Sequence, residues 1–501
     1  MHRINPSVAR PQLHARRWVS FLTVAGIAVA CGETPVEVPV DQPASVTAVA
    51  VAPATVSILE GSSVDLNATI TFSSGVLPED FAPTWVSLRP DIASVSAEGT
   101  VGALRLGQAP IVVEAEDHAD TALIDVRILF KRVSAGSRHS CGVSLTNVPY
   151  CWGDGSAGRL GTGSETSTSQ PAAVEVDFGY HDVSAGGWGT CGLSEASAYC
   201  WGGNSARQLG TGYKQDSWVP ALVAGSHAFH ALSVNTWHGC GISEEGHAFC
   251  WGSGFAGQAG NGTTLGNISP SAVVDQLQFK SINAGLTFTC AVAEDGRGYC
   301  WGFNEHGQLG RPSVAEICHE LDGVERPCST TPAAIAGAHT FTSVAAGSGH
   351  ACALTPDGRA YCWGDNTFGQ LGTSSTDPSM TPAEVAGDLR FASLTAGHRH
   401  TCGIATDGQA YCWGYNGSGA LGSTATFDDC GRELCSTTPT LVAGGKRFIS
   451  LSASHGIDGL HTCGVTTTHE AYCWGANGLG QLGVGFRYGV SFEPLRVSGQ
   501  P

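Results

Sequence analysis

The sequence predicts an all-β protein: a small β-sandwich followed by a seven-bladed β-propeller. Three observations carry this. Glycine supplies 68 of 501 residues while only 14% are charged, and no sustained helical periodicity appears past residue 32, so short strands joined by turns are favoured. Alternating apolar runs separated by turn signals fill residues 46 to 129, the spacing of one sandwich. Beyond residue 131, a unit of about fifty residues containing a cysteine pair and a Trp-Gly step recurs seven times. A repeat of that length buries its faces only by packing on its neighbours, which describes a propeller blade. At this length the chain is expected to hold two or more units.

The first 31 residues differ from the rest. Arg10, His14, Arg16 and Arg17 precede the apolar run "WVSFLTVAGIAVA", which ends at Cys31. A basic start, a short apolar stretch and a small-residue end make an export signal, too short for a comfortable membrane-spanning helix. "IAVAC" resembles a bacterial lipobox, in which the cysteine becomes the lipidated N-terminus. On that resemblance Cys31 is the lipidation site, although Ala28 stands where leucine is usual, and an ordinary secretory signal is the alternative. Gly32 follows in place of the aspartate that often marks inner-membrane retention in such lipoproteins. The resemblance therefore implies the cell envelope, as an outer-membrane lipoprotein facing the periplasm or the surface. Contact with the membrane would be through the N-terminal lipid alone. Residues 32–45, "GETPVEVPVDQPAS", are rich in proline and acid and read as an extended tether.

Residues 46–130 carry the runs "VTAVAVAP", "SVDLNATITF", "IASVSAEG", "PIVVEAE" and "ALIDVRIL". The string "PTWVSLRPDIASVSAEGTVGALRLGQAPIVVEA", with Trp85 and its "ASVSAEGTVGAL" hairpin, resembles the bacterial immunoglobulin-like group-2 domains. That resemblance implies an immunoglobulin-like sandwich acting as a spacer or adhesive stalk.

Residues 131–501 hold the seven repeats. Their consensus, "AGxxHTCGIxxDGxAYCWGxNxxGQLG", is carried almost whole by "CALTPDGRAYCWGDNTFGQLG" (352 to 372) and "CGVTTTHEAYCWGANGLGQLG" (463 to 483). It resembles the regulator of chromosome condensation repeat family, whose fold is a seven-bladed propeller. Pro-x-x-Val openings at Pro171 and Pro382, and the similar stretch at Pro332 with its neighbours, read as the starts of later repeats. The closing "EPLRVSG" is then a leftover strand expected to complete the first blade and close the ring.

Each repeat contributes one cysteine pair: Cys141 with Cys151, Cys191 with Cys200, Cys240 with Cys250, Cys290 with Cys300, Cys352 with Cys362, Cys402 with Cys412 and Cys463 with Cys473. Pairing inward from Cys402 and Cys412 leaves Thr406, Asp407 and Gly408 as a three-residue hairpin loop; in the second repeat Glu195 and Ala196 form a two-residue loop. Each pair then faces across adjacent strands at about 4.5 to 5.5 Å between Cα atoms, within disulfide reach. Cys318 with Cys328 and Cys430 with Cys435 use four more, and Cys31 is the only one left of 19. No Cys-x-x-Cys occurs, and two ligands per hairpin fall short of a structural zinc site. Disulfides and an oxidising compartment follow.

Three repeated features invite a functional reading. Trp152, Trp201, Trp251, Trp301, Trp363, Trp413 and Trp474 are expected to pack between blades, the alternative being an aromatic sugar-binding ring. His139, His238, His350, His400 and His461 stand two residues before their first cysteine, with Gly189 and Phe288 in the other two repeats. They fit blade-to-blade hydrogen bonding or, alternatively, a metal-binding or pH-sensing ring. Three residues after each tryptophan stand only glycine or asparagine (Gly155, Asn204, Gly254, Asn304, Asn366, Asn416, Asn477), which predicts a shared positive-φ turn.

No catalytic motif is found: no Gly-x-Ser-x-Gly, no His-Glu-x-x-His, no phosphate loop and no EF-hand calcium loop. No cofactor or metal is implied. The formal charge of -18 repels a phosphate backbone, which argues against nucleic acid. Function is therefore sought where repeats depart from their pattern. Two inserts, "RPSVAEICHELDGVERPCSTTP" (311 to 332) and "STATFDDCGRELCSTTP" (423 to 439), arise at the same repeat phase and each add a cysteine pair. They are expected to project from one face and make it acidic through Glu316, Glu320, Asp322, Glu325, Asp428, Asp429 and Glu433. These are the candidate partner-binding residues, set against plain solvated loops. The reading is a monomeric, non-enzymatic binding protein for a protein or glycan. The alternatives are nucleotide exchange on a small GTPase, which the repeat resemblance suggests but export opposes, and an enzyme acting on polysaccharide.

Overall fold

The computed structural model describes residues 43–76, 81–195, 197–274, 277–319, 323–425, 428–431, 433–456 and 459–501. Cys31, the first part of the tether, Ala196, Glu320 and Asp322 lie outside them. The described residues are almost wholly strand and turn; the one helical element among them is a 3-10 turn, Ser156–Gly158.

The N-terminal sandwich has a four-stranded sheet in the order Thr55–Leu59, His118–Arg127, Gly107–Ala115, Thr84–Ser87. Opposite it stand the pair Val46–Ala52 with Asn67–Phe72 and the three short strands Ser63–Asp65, Thr100–Ala103 and Ala93–Val95. Alternate residues such as Ile111, Val113, Ile124 and Val126 face inward, as a period of two requires, and form the core with Trp85 packed on its side. Gly99 closes the hairpin over that indole. Its φ is +89°, and a Cβ there would lie 2.9 Å from the Trp85 ring and 2.7 Å from the Leu66 carbonyl oxygen.

Seven antiparallel sheets follow in chain order, each built of consecutive strands. The first is Phe130–Ala135, His139–Ser144, Pro149–Gly153 and Thr168–Ala173. The last is Phe448–Ala453, His461–Thr466, Ala471–Ala476 and Val490–Arg496. This corrects the expected closure: the terminal strand pairs with Ala471–Ala476 and completes its own blade, not the first. The prolines are corrected likewise. Pro171, Pro332 and Pro382 lie in the outer strands that end their blades, as do Pro220, Pro270, Pro439 and Pro494. A residue without an N–H is tolerated there because an outer strand has one unpaired edge.

The ring closes through the same contacts that join its other blades. Ala185 N donates to Ser134 Oγ at 2.9 Å, Ala284 N to Ser233 Oγ at 2.9 Å and Ala453 N to Thr395 Oγ1 at 3.0 Å. Ala135 N donates to Ser452 Oγ at 2.9 Å, which is the same bond between first and last blades.

The two domains meet at one end of the ring. Tyr150 donates to Glu60 Oε1 at 2.5 Å and accepts from Leu106 N at 2.9 Å, while Arg105 donates to the Val176 carbonyl. Leu106 also packs against Gly499, and Ile128 N donates to the Gly499 carbonyl. Thr146, whose hydroxyl donates to Glu60, and Val176 and Gly499 all belong to connections that leave the second or the outer strand of a blade. The sandwich therefore sits on that end, and the opposite end, made of first-to-second and third-to-outer connections, faces away from it.

Candidate interaction face

Most of the repeated side chains are committed to holding blades together. One backbone carbonyl at each of four junctions accepts two bonds from the next blade. Arg159 O receives Trp201 Nε1 and Thr190 Oγ1 at 3.1 and 3.0 Å; Gln258 O receives Trp301 Nε1 and Thr289 Oγ1, both at 2.9 Å. Ala420 O receives Trp474 and Thr462, and Gln481 O receives Trp152 and Ser140, the latter pair closing the ring. All seven repeat tryptophans are fully buried. The inter-blade expectation is met, and a sugar-binding ring of these indoles is ruled out.

The histidines complete the same junctions. Nε2 meets the hydroxyl of the following blade in His139–Thr190, His238–Thr289, His350–Thr401, His400–Thr462 and His461–Ser140, at 2.7 to 2.9 Å. Each hydroxyl has given its proton to a carbonyl, so it accepts from Nε2–H and leaves Nδ1 as a bare lone pair. The exceptions obey the same rule. Gly189 precedes a blade with Gly239 in place of threonine, and Phe288 precedes one with Ala351, so the imidazole is missing where the hydroxyl is missing. Burial pushes His238, His400 and His461 down to about 3 and His350 to about 4, and holds His139 well below its ordinary value. They are neutral structural groups at pH 7. Among the described residues no cluster of three or more His, Cys, Asp or Glu is placed to hold a metal ion.

The shared asparagine turn is corrected. None of the five asparagines has positive φ; that conformation belongs to the glycine directly after each tryptophan, for example Gly202 at +106° and Gly414 at +102°. Asparagine is required for its side chain: Oδ1 accepts from the backbone N–H five residues on, at Leu209, Leu309, Leu371, Leu421 and Leu482, at 2.9 to 3.2 Å. Glycine replaces it where the loop itself fills the space. A Cβ at Gly254 would stand 2.2 Å from the Leu265 carbonyl oxygen, and one at Gly155 would stand 2.4 Å from that of Thr166.

The hairpin cysteines lie directly opposite one another in every blade and are disulfide-bonded. Cys141 is bonded to Cys151, Cys191 to Cys200, Cys240 to Cys250 and Cys290 to Cys300. Cys352 is bonded to Cys362, Cys402 to Cys412 and Cys463 to Cys473. The expected spacing needs correction: the Cα atoms stand 4.0 to 4.1 Å apart, closer than the 4.5 to 5.5 Å expected, a separation set by two directly opposed residues on adjacent strands. Cys151, Cys200, Cys250, Cys300, Cys362, Cys412 and Cys473 all immediately precede the buried tryptophan of their blade, so each staple anchors the strand that carries it. The loop after Ala405 is the three residues foreseen, with Gly408 at φ +86°.

Each insert adds a fifth strand to its blade. Glu316–His319 pairs with Glu325–Ala334, and Asp428–Asp429 with Leu434–Leu441. The two are equivalent residue for residue: Glu316 and Asp428 each lie opposite the second insert cysteine, and each carboxylate accepts from a backbone N–H two residues beyond it, Thr330 at 2.8 Å and Thr437 at 3.0 Å. These bonds, with the Thr437 hydroxyl, hold the Asp428 carboxyl below its ordinary range. Both insert disulfides form, Cys318 with Cys328 and Cys430 with Cys435, and the first is buried against Phe303 of its own blade and Ala256 of the preceding one, with Phe255 packed beside it. Glu325 is exposed and lies 3.5 Å from His319, and Glu433 is exposed. Of the seven candidate acids, the structure thus commits Glu316 and Asp428 to closing the inserts. Glu325 and Glu433 stay open to solvent, and Asp429 is placed in its strand.

The inserts lie in third-to-outer connections, so they share the end facing away from the sandwich. Trp188 and Trp237, in first-to-second connections, share it too, and the repeat pattern does not require them. Their irregularity within an otherwise uniform "AGxxH" phase is the signal that could have found them.

Both domains match known families. The Regulator of chromosome condensation (RCC1) repeat matches residues 195–235, 295–354 and 357–404, and a second model of that repeat matches 279–308, 341–370 and 391–420. The Bacterial Ig-like domain (group 2) matches 45–125. No curated protein matches the chain. Among solved structures, yeast RCC1 (Prp20) bound by Kap60 is similar with a TM-score of 0.60 and 20% identity over 74% of this chain and 85% of that one. Prp20p from Saccharomyces cerevisiae, a protein with binding properties to Gsp1p and histones, gives 0.60 and 21% over 74% and 87%. Human WBSCR16 gives 0.59 and 18% over 70% and 93%.

Proposed function

We propose that this chain, a bacterial Ig-like group 2 domain carrying a propeller of regulator of chromosome condensation repeats, is an exported, lipid-anchored binding protein. Cys31 carries the lipid, the tether is shortened from the expected 32–45 to 32–42 because Pro43 and Ala44 pair with Val76 of the sandwich, the sandwich is the stalk and the propeller is the binding head. The partner is a protein or a glycan, met at the end of the ring that faces away from the stalk.

One observation carries the reading. The repeated Trp, His, Thr and Asn side chains are consumed in blade-to-blade and loop-closing bonds, so the repeat itself has little left with which to do chemistry. What departs from the repeat, both inserts and the irregular tryptophans, gathers at the far end. The similar yeast Prp20p, with its binding properties to Gsp1p and histones, supports a protein-binding role for such a scaffold. The paired cysteines support an oxidising compartment, in keeping with the lipobox.

The test is affinity capture with the full chain and with a variant whose residues 311–332 and 423–439 are cut to ordinary blade length, both checked for an unchanged thermal transition. Loss of a captured ligand in the trimmed form supports the reading. Equal capture of the same ligand by both contradicts the placement of the face. Metabolic labelling with a fatty acid, abolished by Cys31→Ser, tests the anchor.

A further inference from the structure

Two adjoining cavities lie at the end of the ring away from the stalk, over blades one to three, and they share Trp237. One, of about 230 Å³, is walled by Trp188 and Trp237 with Arg138 at its side. The other, of about 340 Å³, runs from Trp237 to Phe255 and is flanked by Arg207 and Lys214. Four cations, counting Arg159 at the floor of the first, line the pair, and no described lining residue is acidic. That is the reverse of the whole chain, in which acids outnumber bases 43 to 25.

The tryptophans here are of a different kind from the repeat indoles. Trp188 is 43% exposed, and its ring is held by the Arg159 guanidinium 4.7 Å from the centroid. Arg159 is itself anchored, donating to the Gly187 carbonyl at 3.1 Å and lying 3.6 Å from Asp154. Trp237 stands edge-on to Phe255, with 6.4 Å between centroids, and Phe255 rests on the buried cluster around the Cys318 to Cys328 disulfide. The first insert therefore acts as a buttress for this cavity. Hydroxyls complete the walls: Ser205, Ser253 and Thr264 line the larger cavity. Thr236, 4% exposed, lines the smaller one with its Oγ1 buried and without a hydrogen-bond partner.

We propose that this double cavity binds an acidic saccharide, with a carboxylate-bearing sugar ring in each half. A pyranose carboxylate carries on one ring an apolar C–H face for an indole, hydroxyls for Thr236 and the serines, and a charge for Arg207 or Lys214. An acidic peptide would satisfy the cations and leave the flat indoles without a matching surface. The inference rests on the binding role proposed above and names one ligand class for it.

The experiment titrates the full chain with tetragalacturonate, following heat and tryptophan fluorescence, beside cellotetraose as the neutral sugar and hexaglutamate as the acidic peptide. Saturable binding of tetragalacturonate is expected, at least about 10-fold tighter than either control and weakened by salt. R207Q/K214Q is expected to weaken it at least about 10-fold, and W237A to abolish it, with W188A as the variant at an exposed position least able to disturb folding. The near-ultraviolet spectrum of the buried tryptophans confirms that each variant is folded. No saturable binding, equal affinity in all variants, or tighter binding of hexaglutamate would overturn the assignment. If tetragalacturonate fails while insert-dependent capture persists, the saccharide site falls and the binding role stands. If capture also fails to depend on the inserts, the role falls with it.

Discussion

Replacing His238 and its partner with the pair found naturally one blade on, His238→Phe with Thr289→Ala, should remove one acid-labile element and leave the ring intact. Phe288 and Ala351 occupy these places in the next junction, so the substitution copies packing the fold already uses. Burial alone pushes His238 down to about 3, with no charged neighbour contributing. In the unfolded chain a histidine takes up its proton near about 6.5. The unfolded state therefore binds more protons than the folded one below that pH, and stability falls as pH drops from about 6.5 toward 3. The slope is about 1.4 kcal/mol per pH unit, which over the roughly 1.5 units down to pH 5 gives about 2 kcal/mol for this residue. Carboxylates titrate mostly below that window, and what they and the other histidines contribute between pH 7 and pH 5 cancels in the difference between parent and variant. The assay is guanidinium unfolding with disulfides intact, followed by tryptophan fluorescence, to which Trp85 is the single described contributor outside the propeller. The double variant is expected to lose about 2 kcal/mol less than the parent between the two pH values, whatever it loses at pH 7 from the missing hydrogen bond. An identical pH dependence in both proteins would refute the tautomer and burial argument.

Other outcomes follow from the same contacts. Asn366→Ala leaves the Leu371 N–H without its acceptor and should cost about 1–3 kcal/mol in the unfolding free energy. Trp363→Ala removes a fully buried inter-blade indole and its bond to the Gln308 carbonyl; a loss of about 3–5 kcal/mol is expected, and a change under about 1 kcal/mol would contradict its packing role. Gly99→Ala should lower the melting of the sandwich, because positive φ and the Trp85 ring both oppose a side chain there. Mass mapping under non-reducing conditions should find no free thiol among the 18 cysteines beyond Cys31.

Much of this fold is readable because repetition multiplies a weak signal. One Cys-Trp-Gly step means little, but seven at a regular period define strand pairing, loop length and blade count together. The terminal strand escapes that logic for a related reason: a circular repeat has no intrinsic start, and "EPLRVSG" fits equally as the opening of one blade or the end of another until pairing with Ala471–Ala476 decides it. The asparagines mislead because preference for Asn and Gly accompanies either positive φ or a side chain that caps a loop, and only the position of the Leu and loop backbone separates the two. The histidine ring is half readable. Gly239 and Ala351 stand where a hydroxyl is otherwise found, one blade after Gly189 and Phe288, and that matched absence is present in the sequence. The acids of the inserts show the limit: Glu316 reads as a surface charge, yet its bond to the Thr330 N–H appears only once the fifth strand is paired.

Recognition at the end of the ring away from the stalk is tested most directly by hydrogen exchange on the full chain, with and without the ligand it captures. Protection is expected at residues 186–188, 235–237 and 253–266 and on the two inserts, with the hairpin tips near 146, 407 and 468 unchanged. Protection confined to those tips, or to the outer strands, would contradict it.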